Sequence, residues 1–195
     1  MQSIIEKAYR ANRLTVSGLA LLTLLAACER APQPDALSQE DEIVAAPSCG
    51  SNGRLTTQLY GSIARQISWS GAELECESML RPQGKGIRLR FSGDAADRRL
   101  AIILALPELQ RGSTVVELPT VVTLIVEGSG RFFSTPTLGS CWSDVTAQDL
   151  IEDGGDRYTI SGTLYCVAPL GEINGDAAIS IPELEFRGIV DWSAS

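Results

Sequence analysis

Along residues 53–192 hydrophobic and polar positions alternate over short runs, and each run is closed by Gly, Pro, Ser, Asn or Asp. This is the signature of short antiparallel strands joined by tight turns. Ile87-Arg88-Leu89-Arg90-Phe91 alternates without a break, so Ile87, Leu89 and Phe91 point to a core and both arginines to solvent. From Tyr158 to Cys166 the same period sets Tyr158, Ile160, Leu164 and Cys166 on one side and Thr159, Ser161, Thr163 and Tyr165 on the other. Residues 100–106 and 121–126 are apolar on both faces and read as central strands buried on both sides. Further strands are expected at 55–60, 66–69, 74–77, 114–118, 131–134, 179–181 and 185–192. One short helix is expected at 145–151, with Asp144 as its cap and Gly154-Gly155 as its stop. Together these predict an all-β fold, an antiparallel β-sandwich of jelly-roll kind.

The pattern changes at the N-terminus. Lys7, Arg10 and Arg13 against Glu6 leave residues 1–13 net positive, and residues 14–27 are an uncharged run rich in Leu and Ala. That run is shorter than the ~20 residues a spanning helix needs, and its layout is that of a secretory signal. It closes on Leu25-Ala26-Ala27-Cys28, which resembles the lipobox of bacterial lipoproteins. The resemblance covers the leader and its cleavage site. It implies that residues 1–27 are removed and that Cys28 becomes a lipidated N-terminus, with a diacylglyceryl group on sulfur and a palmitate-type chain on the amine. Several chains matter, because each buried CH₂ contributes ~0.8 kcal/mol and one chain anchors only marginally. Glu29 stands where an aspartate is the usual inner-membrane retention signal, so the expected location is the outer membrane, facing the periplasm.

Residues 29–47 contain Ala31-Pro32-Gln33-Pro34 and Gln39-Glu40-Asp41-Glu42, with few large apolar residues, and read as a tether. Its reach is roughly 25 Å as a coil and roughly 65 Å extended. The expected organisation is a signal peptide at 1–27, the lipidated cysteine and tether at 28–48, and a β-sandwich at 49–195. With Cys28 acylated, four cysteines remain, an even number in an exported chain. The local pairing Cys49–Cys76 and Cys141–Cys166 is favoured over the two alternative connectivities because each bridge closes a short loop.

Composition narrows the function. The chain has no histidine, which removes His-based triads and His-ligated metal sites. Its formal charge is −8, and no basic stretch tracks a phosphate backbone, so no nucleic-acid partner is expected. Lys85, the one lysine after the leader, sits in Gly84-Lys85-Gly86, a turn tip with no serine placed to form a Ser/Lys pair. Glu73, Glu75 and Glu77 alternate and would share a strand face, as an exposed acidic edge or, with Asp153 and Asp156, as acids of a polysaccharide hydrolase. Calcium is the one cofactor considered, on Asp153, Asp156, Asn174 and Asp176 in two Gly-containing acidic loops that also suit plain hairpin turns. Aromatic candidates for a binding platform are Tyr60, Trp69, Trp142, Trp192 and the Phe132-Phe133 pair. Adjacent strand residues face opposite ways, so one of the two phenylalanines should be outside the core. The tryptophans are expected in the core, with Trp142 packed on the disulfide of Cys141. The expectation is a non-enzymatic binding or assembly module, held to the membrane by lipid, whose partner is an envelope protein or glycan. The alternatives are the carboxylate hydrolase and a calcium-stabilised carbohydrate-binding module.

Overall fold

The computed structural model describes residues 49–82, 85–152 and 155–193. The leader, Cys28, residues 29–48 and Asp153 lie outside the described residues.

Alternation at period two gives thirteen strands in this region: β1 (Arg54–Gly61), β2 (Arg65–Ser70), β3 (Glu75–Leu80), β4 (Ile87–Ala95), β5 (Arg98–Leu106), β6 (Val115–Pro119), β7 (Val121–Val126), β8 (Arg131–Ser134), β9 (Cys141–Leu150), β10 (Arg157–Cys166), β11 (Leu170–Glu172), β12 (Ala178–Ser180) and β13 (Leu184–Asp191). A 3₁₀ turn, Gly71–Glu73, leads into β3. All pairings are antiparallel. They run as one open ladder, β3-β4-β5-β7-β8-β11-β12-β1-β13-β10-β9-β6, with β2 on the other edge of β1.

The ladder folds into two layers at β1. Residues 54–57 of β1 pair with β13, whereas Tyr60 and Gly61 pair with Ser180 and Ile179 of β12. One layer therefore holds β3, β4, β5, β7, β8, β11 and β12, the other β2, β1, β13, β10, β9 and β6, and the chain crosses repeatedly between them. Their inner faces meet at Phe91 of β4 and Phe186 of β13, with ring centroids 6.0 Å apart. Glycine makes this approach possible. A Cβ at Gly188 would stand 2.9 Å from Phe91 Cε1 and 3.3 Å from Cys76 Sγ, and one at Gly93 would stand 2.8 Å from the Trp69 ring. The all-β, antiparallel, sandwich-like architecture is thus the one the alternation predicts, and both expected disulfides are present, Cys49–Cys76 and Cys141–Cys166.

Of the two runs read as doubly buried, β5 fits: all its residues from Leu100 to Leu106 are buried except Ile103, which is half-buried. In β7 the outward Val121, Thr123 and Ile125 are only half-buried. Part of the cover over β5 is charged. Glu127 accepts from both Arg90 and Arg99, and Arg90 also reaches Glu77 at 3.1 Å while Arg99 reaches Glu75 at 2.5 Å. The aliphatic stems of such arginines shield apolar surface while the heads stay paired.

The helix expected at 145–151 is absent: those residues continue β9 and leave it at Leu150. Ser161 pairs with Ala147 but Gly162 with Val145, so Thr146 is an extra residue in a bulge. Inward positions consequently fall at Val145 and Gln148, three apart, a spacing that imitates a helix. Asp144 does receive a backbone N–H, as a helix cap would, but from Glu117 of β6 at 2.7 Å. The acidic row is also shorter than expected. Strand β3 starts at Glu75, so Glu75 and Glu77 share its outer face, and Glu73 belongs to the 3₁₀ turn. β11 has no counterpart among the expected strands.

Candidate functional site

The two disulfides sit differently in the fold. Cys49–Cys76 joins the start of the described chain to the edge strand β3, with Gly188 beneath it. Cys141–Cys166 is a cross-strand bridge between residues paired in register on β9 and β10. Register then sets the next pair, Trp142 opposite Tyr165, on the outer face of the second layer. Their rings stack, with centroids 5.6 Å apart and 22° between planes. Trp142 is only half-buried and lies outside the core cluster, which corrects the expectation that it packs inward on its disulfide. The alternation of Tyr158 to Cys166 places Tyr165 on the side opposite Ile160 and Leu164, but the sequence shows no strand at Trp142 to face it.

The surroundings hold this pair in place. Pro119 of β6 lies opposite Trp142. The buried Thr120 hydroxyl lies 2.8 Å from Ser143 Oγ and 2.9 Å from Leu118 O, and Thr120 N–H donates to Cys141 O. Asp144 and Glu117 border the stack, and Glu117 has φ of 53°, a backbone held by its N–H bond to Asp144 Oδ1. Burial, followed by the charges of Glu117 and Asp144, raises the pKa of the Tyr165 hydroxyl above the usual tyrosine value, so the phenol stays neutral and able to donate.

Three exposed hydrophobic side chains lie on neighbouring segments. Val116 is 74% exposed, Leu138 61% and Val167 72%. Val116 precedes Glu117, Val167 N–H donates to Ser140 O, and Gly139 lies beside the Trp142 ring, so all three belong to segments that border the pair. Eight large hydrophobic side chains are exposed among the described residues, and these are three of them.

The remaining candidates are dispersed. Phe133 is fully buried under the Arg131 guanidinium, whereas Phe132 is 40% exposed on the outer face of the first layer, opposite Ile125. Trp69 is in the core, its Nε1–H donating to Asp94 O at 2.7 Å. Trp192 packs against the core and donates to Gln148 Oε1, whose amide group also donates to Gln110 O and Ser113 O. Glu75 and Glu77 are held by Arg99 and Arg90 as described, and Lys85 is exposed in the β3–β4 turn.

The described calcium candidates, Asp156, Asn174 and Asp176, lie in two turns and share no hydrogen-bond partner among the described residues. Asp156, in the β9–β10 turn, pairs with Arg111. Asn174, with φ of 62°, and Asp176 shape the β11–β12 turn, which folds Gly175 over the Glu172 carboxylate. Among the described residues no three Asp, Glu, Cys or His side chains gather as a metal-binding group. Glu172 itself is engaged by Arg131 at 2.5 Å, and this bond holds the Glu172 carboxyl below its ordinary pKa.

Comparison of the chain with protein-family models, with curated proteins and with solved structures finds no match in any of the three.

Proposed function

We propose that this protein is a lipid-anchored bacterial envelope lipoprotein whose β-sandwich is a non-catalytic docking module, and that the Trp142–Tyr165 face is where a partner protein binds. The observation that carries this reading is the stacked, partly exposed aromatic pair bordered by exposed Val116, Leu138 and Val167. Exposed apolar surface of this kind is the usual mark of a docking site, and Trp and Tyr are the side chains that most often dominate binding energy at interface centres. The pair sits on a cross-strand disulfide and two packed strands, so it is pre-organised and loses little freedom on binding.

The anchor and location rest on the leader, on Leu25-Ala26-Ala27-Cys28 and on the two disulfides, which belong to an oxidising compartment such as the periplasm. The acidic chain is repelled by anionic headgroups, which leaves the acyl chains at Cys28 to supply membrane affinity. The test is affinity capture from cross-linked, detergent-solubilised envelopes with the tagged full-length chain and its Trp142→Ala variant. A protein partner recovered by the wild type and lost from the variant supports the assignment; identical recovery by both refutes it.

A further inference from the structure

The outward side chains of β1, Thr56, Gln58 and Tyr60, floor a groove of about 340 Å³ on the second layer. Gln66 of β2, opposite Gln58 in register, forms one wall, and Pro182, Glu183 and Glu185 form the other. The volume lies in the range of small-ligand sites. The groove is distinct from the Trp142–Tyr165 face, since β13 and β10 lie between β1 and β9.

Three features define what it can hold. First, Tyr60 is 51% exposed and its backbone is fixed, because Tyr60 pairs with Ser180 and Ser62 N–H donates to Ala178 O. Second, the polar side chains around it are unspent. Thr56, Gln66 and Glu183 make no side-chain bond among the described residues, and Gln58 uses only its Nε2, toward Leu59 O at 2.9 Å. Among the described residues the Glu185 carboxylate meets only Arg54, at 3.9 Å. Third, both backbone edges of β1 are occupied, by β2 on one side and by β13 and β12 on the other. The floor itself therefore offers no strand edge to an extended peptide, and the unpaired edge nearby is the outer one of β2, which pairs only with β1 among the described residues.

We propose that this groove binds a neutral saccharide. A sugar ring presents a C–H face that suits the negative face of the Tyr60 ring, and hydroxyls that both donate and accept. The amides of Gln58 and Gln66, the Thr56 hydroxyl and the Glu183 carboxylate supply both kinds of partner around that ring. Glu183 and Glu185 repel uronic or sulfated sugars, which excludes anionic ligands.

The experiment is saturation-transfer NMR on the full-length protein in detergent, titrated with neutral tetrasaccharides of glucose, galactose, mannose and N-acetylglucosamine, and with tetragalacturonate. The expected result is saturable transfer to the C–H protons of at least one neutral tetramer and none to tetragalacturonate. Tyr60→Ala should weaken that binding about tenfold, Gln66→Ala should also weaken it, and Tyr60→Phe, which keeps the ring, should retain it. Trp142→Ala should leave it unchanged, which separates this site from the docking face. Absence of binding by every neutral tetramer, equal binding by Tyr60→Ala, or equal binding of tetragalacturonate overturns the proposal.

Discussion

Trp142 stands opposite Tyr165 because Cys141 stands opposite Cys166 in the same register. One covalent bond thus positions the aromatic pair on which the docking assignment rests. Removing that bond loosens the pair before it unfolds the domain.

Replacing both Cys141 and Cys166 by alanine is expected to cost about 2–4 kcal/mol in urea unfolding, the usual contribution of a bridge closing a loop of this size. The near-UV circular dichroism of the Trp142–Tyr165 stack should weaken in the same variant. Mass analysis of the unreduced protein should find no free thiol at Cys49, Cys76, Cys141 or Cys166. An unchanged aromatic signal would separate the stack from the bridge.

Gly188→Ala puts a methyl group 2.9 Å from Phe91 Cε1, so the two layers must move apart. The expected loss is about 1–3 kcal/mol, the cost of overpacking a close contact. Phe91→Ala, which empties the same contact from the other side, should cost about 3–5 kcal/mol. A Gly188→Ala variant as stable as wild type would mean that the layers do not approach as described.

These two contacts also show what the sequence makes legible and what it hides. Clean alternation exposed the cores of β4 and β10, and cysteine arithmetic exposed both bridges. β9 was hidden because the bulge at Thr146 breaks the two-residue period and leaves Val145 and Gln148 inward at helical spacing. Asp144 deepened the disguise, since its carboxylate does bond a backbone N–H, but one belonging to β6. Without a visible β9, the sequence pattern offers Trp142 no facing strand and Tyr165 no partner. The Tyr60 groove was legible only as an aromatic candidate, because one of its walls, Pro182, Glu183 and Glu185, is far from Tyr60 in sequence and the other depends on the β1–β2 register. β11 escaped because three residues are too few to show a period.

The Arg131–Glu172 pair makes stability depend on pH. Because the Arg131 hydrogen bond lowers the folded-state pKa of Glu172 below its ordinary 4.5, the pair's contribution is complete above that value. It is lost as pH falls through the lower folded value. Thermal melts of wild type and Glu172→Gln taken from pH 6 downward should converge in the acid range, with the wild type losing more. Parallel curves would show that Glu172 gains nothing from Arg131.

Cys28→Ala should abolish incorporation of a clickable palmitate analogue in growing cells and leave residues 1–27 attached. The mature wild-type chain should partition into detergent after Triton X-114 phase separation, and the variant should not be processed by the lipoprotein peptidase. Labelling that persists in Cys28→Ala would place the lipid elsewhere.

The central claim is that the Trp142–Tyr165 face holds a protein partner, and a photoreactive amino acid placed at Val167 tests it most directly. Val167 is exposed at the border of the stack, and Arg88, exposed on the outer face of the other layer, serves as the control position. After irradiation of intact cells the account predicts a discrete protein adduct from position 167, weakened when Trp142→Ala is combined with it, and no such adduct from position 88. The same adducts from both positions, or none from 167, would contradict it.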